Sequence, residues 1–104
     1  MIPPQTEKQI TAAIRKYLLL RRIFHWKQWQ GPMSGLAGVS DIIGIYKGRF
    51  LAIEVKTAKG KLTDAQITFK QAVEQEGGIA FVARSVQDVE DQLLEFDRFW
   101  RTTK

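Results

Sequence analysis

Ile10, Ala13, Ile14, Tyr17 and Leu18 recur at spacings of three and four residues, which lays one apolar stripe along a helix. Thr6 stands just before this stripe and Gln9 three residues further on, a capping box that starts the helix. IFHWKQWQ, residues 23–30, is aromatic and β-prone and predicts a first strand. GPMSGLAG, residues 31–38, predicts a glycine-rich loop. DIIGIY (41–46) and RFLAIEVK (49–56) flank Lys47-Gly48, the signature of a tight hairpin turn. Thr63 with Gln66 offers a second capping box, with Leu62 and Ile67 placed as a hydrophobic staple. That helix is expected to run to about Glu76 and stop at Gly77-Gly78. IAFVAR (79–84) predicts a short apolar strand, and Ser85 caps a last helix that turns Val86, Val89, Leu93 and Phe96 inward. The expected order is α-β-β-β-α-β-α, an α/β domain.

The chain has 104 residues, the size of one domain with one core. There is no repeat, low-complexity tract or linker in it. It contains no cysteine and one histidine, His25, which excludes disulfides, a thiolate zinc site, a cysteine nucleophile and a multi-histidine metal site within one chain. The start MIPPQTEKQI lacks the apolar segment of a signal peptide, and no apolar run approaches the ~20 residues of a membrane span. A soluble, intracellular protein with no membrane partner is expected. Sixteen Lys and Arg against eleven Asp and Glu give a net charge of +5, which favours a polyanionic partner. Many small basic proteins carry such a charge simply for solubility.

Two charges interrupt the apolar run FLAIEVK. Leu51, Ile53 and Val55 share one face of this strand, and Ala52, Glu54 and Lys56 share the other. Burying a charge is costly unless it is paired or holds a metal, so Glu54 and Lys56 form either a salt bridge at the mouth of a sheet or a site. A two-residue turn at Lys47-Gly48 pairs Tyr46 with Arg49 and, counting back, Asp41 with Glu54. Opposed residues of an antiparallel pair project from one face with Cβ atoms ~4.5–5.5 Å apart, and like charges there destabilise the sheet. A divalent cation between the carboxylates reverses the sign. Oxygen ligands of this kind suit Mg²⁺ or Mn²⁺, held by one or two carboxylates with water and a substrate phosphate. Lys56 beside them can steer or activate a water, or steady a pentacovalent phosphate. Asp41, Glu54 and Lys56 therefore predict a metal-and-amine centre for phosphodiester hydrolysis.

An Asp followed roughly a dozen residues later by Glu-x-Lys in an apolar strand resembles the PD-(D/E)xK nuclease superfamily. More narrowly, GVSDIIGIYKGRFLAIEVKTAKGKLTDAQ, residues 38–66, is similar to the VRR-NUC family of replication and repair nucleases. That family's pattern is matched by Gly38 and Asp41, then Glu54 and Lys56, then Gly60, Lys61, Leu62, Thr63 and Gln66, with Glu7 as its early helical glutamate. The resemblance covers nearly the whole chain. It implies a restriction-endonuclease-like αβββαβ core, with a mixed central sheet flanked by helices, plus the C-terminal helix, and a single VRR-NUC domain over residues 1–104. It further implies Mg²⁺- or Mn²⁺-dependent cleavage of DNA. For stand-alone members it implies a homodimer acting on branched DNA such as Holliday junctions, where a two-fold dimer supplies two sites for two strands. By the same resemblance Asp41, Glu54 and the backbone carbonyl of Val55 are metal ligands, Lys56 positions the attacking water or steadies the transition state, Gln66 lies near that water, and Glu7 holds the metal through water or binds a second ion. The superfamily's proline before the first aspartate is Ser40 here, a change to the turn and not to a ligand.

Several of these residues have a plainer explanation. Glu7 in a first helical turn is stabilised by the helix dipole. Gln66 completes the Thr63 capping box. Ser34, Lys59 and Lys61 flank the expected centre in loops and could contact DNA phosphates, although surface lysines of a basic protein are commonly just solvated. Trp26 and Trp29, three apart, would take opposite faces of a strand, one in the core or an interface and the other exposed. His25 receives no catalytic part. A structure-selective DNA endonuclease is the expected function. A non-cleaving DNA-binding module of the same fold is the alternative, disfavoured because both acids and the lysine are present. An enzyme for small phosphate esters is disfavoured by the lack of a glycine-rich phosphate cradle, and no nucleotide cofactor is expected.

Overall fold

The computed structural model describes residues 3–31 and 35–103; Ser34, expected to contact phosphate, lies outside the described residues. The element order is α1 (Glu7–Leu20), β1 (His25–Lys27), β2 (Ile42–Tyr46), β3 (Arg49–Val55), α2 (Asp64–Gln75), β4 (Ile79–Ala83) and α3 (Val86–Thr103). Helix α1 starts as the sequence predicts: Thr6 Oγ1 accepts the Gln9 N–H at 3.1 Å, and the Gln9 side chain accepts the Thr6 N–H at 2.9 Å. Helix α2 starts the same way at Thr63 and ends at Gly77, whose φ of +85° is the left-handed geometry that glycine supplies. Ser85 Oγ accepts the Asp88 N–H at 3.1 Å and opens α3.

The four strands lie in the order β1-β2-β3-β4, antiparallel except for the parallel pair β3 and β4. Lys47 and Gly48 both take positive φ, 51° and 80°, which matches the right-handed twist of a two-residue hairpin. Tyr46 pairs with Arg49 and Ile42 with Ile53, the register inferred from the turn. Because the side-chain period is two, this register fixes which residues face which layer. On one face Ile42, Leu51, Ile53, Val55 and Phe81 pack against Ile10, Ile14 and Leu18 of α1 and Val89 and Leu93 of α3. The fully buried members each contribute ~1.5–3 kcal/mol. On the other face a smaller core joins Ile43, Ala52 and Ala80 to Val73 of α2.

The first strand is shorter than the aromatic run suggests, and this expectation is corrected. Ile23 N–H bonds back to the Leu18 carbonyl at the end of α1 and its side chain is buried, so Ile23 closes the helix and does not open a strand. Beyond Lys27, a last bond from Gln28 N–H to the Asp41 carbonyl ends the pairing. Trp29 thus lies outside the strand, where alternation no longer governs it. Both tryptophans are exposed, Trp26 at 41% and Trp29 at 60%, so neither is core. Trp26 shares a face with Ile43, and α2 does not cover that edge of the sheet. Phe24, Ile45 and Phe50 lie side by side across neighbouring strands on the same uncovered face, all three exposed.

Candidate active site

Glu54 occupies the last turn of the pleat in the central strand β3, and only 6% of it is exposed. Its partners come from three elements. Gln66 of α2 donates from Nε2 to Glu54 Oε2 at 3.1 Å. Lys56 Nζ stands 3.9 Å from the same oxygen, and the Lys56 side chain is itself largely buried. The other oxygen, Oε1, is buried with no hydrogen-bond partner. Asp41, just before β2, accepts the Val55 N–H on Oδ2 at 2.8 Å, which fixes this carboxylate across the end of β3. Lys56 continues the ladder beyond β3 by donating its N–H to the Ala83 carbonyl at 3.1 Å.

Gly38 explains how Asp41 reaches this place. Its φ is +76°, and a Cβ there would come within 2.2 Å of the Ala65 carbonyl oxygen. The loop before β2 therefore packs backbone against backbone on the first turn of α2. That contact brings the Asp41 segment beside Gln66. The Gln66 side chain serves two structures at once: Oε1 accepts the Thr63 N–H at 2.9 Å while Nε2 holds Glu54. The cap predicted from the sequence thus coexists with a contact to the Glu54 carboxylate.

Burial, first, and the neighbouring Asp41 carboxyl push the Glu54 pKa up to about 8, with Lys56 acting weakly in the opposite direction and Glu7 adding to the rise. Two carboxyl groups held together, Glu54 buried and Asp41 partly so, bond to each other only while Glu54 keeps its proton; once both ionise, the buried Glu54 Oε1 has no donor in the protein, which suits a hard divalent cation that inverts such a shift. Among the described residues no three His, Cys, Asp or Glu side chains are arranged to hold a metal ion. A cation here would draw on the two carboxylates, a backbone carbonyl, water and substrate oxygens. That is an ordinary Mg²⁺ environment.

Asp41, Glu54, Lys56 and Gln66 thus converge. Glu7 stands apart on α1, exposed, and lines with Asp41 a cavity between α1 and β1. Lys59 and Lys61 are exposed on the loop after β3. Arg84 ties that loop down, donating from Nη1 to the Thr57 carbonyl and, at 2.8 Å, to the Gly60 carbonyl. Gly60 in turn lies against the Lys56 stem. Sequence reasoning missed Arg84, and also Lys8, Arg15 and Lys27, which line the cavity beside Asp41. The seven-residue spacing of Lys8 and Arg15, two helical turns, was the available signal.

A mixed four-stranded sheet between helices, with Asp and Glu-x-Lys at the end of its central hairpin, defines a restriction-endonuclease-like protein. The VRR-NUC domain model matches residues 4–87, and the chain belongs to the VRR-NUC family. It is a nuclease-like family, with DNA as its class of substrate. A solved structure described as a VRR_NUC domain protein is similar in fold at 22% identity, with a TM-score of 0.66 over 88% of each chain. No curated protein matches the sequence. Among the described residues no helix is long and apolar enough to cross a membrane.

Proposed function

We propose that the protein is a Mg²⁺- or Mn²⁺-dependent endonuclease that hydrolyses phosphodiester bonds in DNA, with branched DNA such as Holliday junctions as its preferred substrate, and that it serves replication or repair inside the cell. The observation that carries this reading is Glu54: a buried carboxylate, gripped at one oxygen and unpartnered at the other, beside Asp41 and Lys56. Asp41, Glu54 and the Val55 carbonyl would hold the metal, with Glu7 acting through water or on a second ion. Bound there, a divalent cation supplies Lewis-acid polarisation of the phosphoryl group and a more acidic water. Gln66 orients Glu54 by holding Oε2, so that the carboxylate would be preset to hold an ion. Lys56 places positive charge where the attacking water enters or where charge builds on the phosphate oxygens. Lys59 and Lys61 contact flanking phosphates, a part the sequence also gives to Ser34.

We read residues 1–104 as one nuclease domain that acts as a homodimer. The uncovered apolar row of Phe24, Ile45 and Phe50, with Trp26 packed edge-on to Phe24 at 5.7 Å, supports a surface for a second copy. The test compares labelled four-way junction, flap, single strand and linear duplex under Mg²⁺, Mn²⁺ and EDTA, beside a Lys56→Ala control. Metal-dependent, paired symmetric cuts in the junction, absent in the control, are expected. Cuts confined to other forms would remove the junction preference, and DNA binding with no cutting under either metal would leave the non-cleaving module.

A further inference from the structure

Beside Asp41 lies a cavity of about 470 Å³, bounded by Lys8, Thr11, Ala12 and Arg15 of α1, Lys27 of β1, and Glu7. Its size falls in the ~300–1,000 Å³ range of ligand pockets. Three cations therefore stand around one hollow. None of them takes part in an ion pair or a side-chain hydrogen bond among the described residues. Arg15 is the most telling. Its Nε is buried and has no acceptor in the protein, and a buried donor without a partner ordinarily costs ~1–3 kcal/mol. The residue as a whole is only partly buried and lines the hollow.

The chemistry of the hollow selects its ligand. A guanidinium fork with two ammonium groups matches the oxygens of a phosphate, which arginine can grip in bidentate fashion. The remaining lining consists of the carboxyl groups of Glu7 and Asp41, which leave the cations in excess by one, and the small side chains Thr11 and Ala12, with no aromatic ring for a base to stack upon. A group bound here is held by its backbone, without reading sequence. The hollow also shares Asp41 with the carboxylate pair, so its ligand is continuous with whatever occupies that pair. We infer that the cavity is the subsite for the DNA backbone phosphate next to the scissile one, with Arg15 as its central binding residue and Lys8 and Lys27 at its sides. This inference rests on the nuclease reading and adds to it the path of one strand along α1.

The test is binding of fluorescein-labelled DNA to the intact chain in EDTA across a salt series, followed by cleavage kinetics with Mg²⁺. Arg15→Gln is expected to weaken binding about tenfold and to reduce the salt slope by about one. It should raise KM while leaving kcat near wild type. Lys16→Gln, which removes the same charge from an exposed position of α1 outside the cavity, should leave affinity and slope near wild type. Once the cut is mapped, a neutral methylphosphonate at the adjacent phosphate should weaken binding by wild type and not by Arg15→Gln. If Arg15→Gln does not fold, Lys27→Gln on the edge strand carries the same comparison. Wild-type cutting together with an Arg15→Gln variant no weaker than Lys16→Gln would overturn the subsite alone. Failure of the wild type to bind or cut any DNA would overturn the nuclease reading and the subsite with it.

Discussion

Replacing Glu54 by glutamine should make the metal-free protein more stable while abolishing its response to metal. Burial and Asp41 raise the Glu54 pKa from 4.5 to about 8. Between those values the folded chain keeps a proton that the unfolded chain has released, so stability is full below about pH 4.5 and is lost as pH rises towards 8. One proton corresponds to about 1.4 kcal/mol per pH unit, so by neutral pH the pair of carboxyls costs on the order of 3 kcal/mol. In a domain of this size that is on the order of 10–20 °C in Tm. Glutamine has the same shape, can still accept from Gln66 Nε2, and does not titrate. Thermal melts in EDTA at pH 4, 6 and 8 should show wild type losing stability across the series and Glu54→Gln losing much less, with the two alike at pH 4. Mg²⁺ should restore wild type at pH 8, by about 2.7 kcal/mol at a hundred times its Kd, and should leave the variant unchanged. Equal pH slopes for the two proteins, or a variant less stable than wild type at pH 8 in EDTA, would refute the electrostatic account of the site.

Gln66 and Gly38 offer two further checks. Gln66→Ala removes both the acceptor for Thr63 N–H and the donor to Glu54, so it should cost about 1 kcal/mol of cap, roughly 4–8 °C in melts, together with cleavage rate; Gln66→Glu keeps the cap and should stay closer to wild type in Tm with Mg²⁺ present while still cutting slowly. Gly38→Ala must place a Cβ at 2.2 Å from the Ala65 carbonyl oxygen with φ at +76°. It should destabilise by ~1–3 kcal/mol and, by shifting the Asp41 segment away from α2, shrink the Mg²⁺-induced rise in Tm.

The elements that the sequence made legible are those whose signal is local. Capping boxes at Thr6 and Thr63 are satisfied within four residues, and the Lys47-Gly48 turn fixes the whole β2–β3 register, so both were readable without any tertiary information. The placement of Glu54 and Lys56 on one face, and of Asp41 at the end of the neighbouring strand, followed from that register. What was illegible depends on partners distant in the chain. The aromatic run at 23–30 reads as strand by propensity, yet Ile23 is claimed by the end of α1, and β1 has only one neighbour to pair with. The basic cavity is not legible because Lys27 joins Lys8 and Arg15 only in the folded chain, where α1 and β1 line one hollow. Arg84 likewise ties down a loop more than twenty residues earlier, a contact no spacing rule anticipates.

Throughout most of the fold, pattern and structure agree: apolar residues alternate into two cores, and helices begin where their caps stand. Several of the polar disagreements lie at one end of the sheet. There a carboxylate is buried without its full set of partners, a like charge is set beside it, and an arginine donor close by is left without an acceptor. Each of these lowers the stability of the isolated chain. Chains that fold well tend to break local rules only where function requires it. A cation at Asp41 and Glu54 would turn the carboxyl repulsion into attraction, and a phosphate at Arg15 would satisfy the orphan donor. The two remedies are complementary in charge, and a single DNA strand lying across both can bring its own phosphates to each. On the proposed function, the destabilising features become two halves of one binding surface, to be completed by a metal ion and a polyanion together.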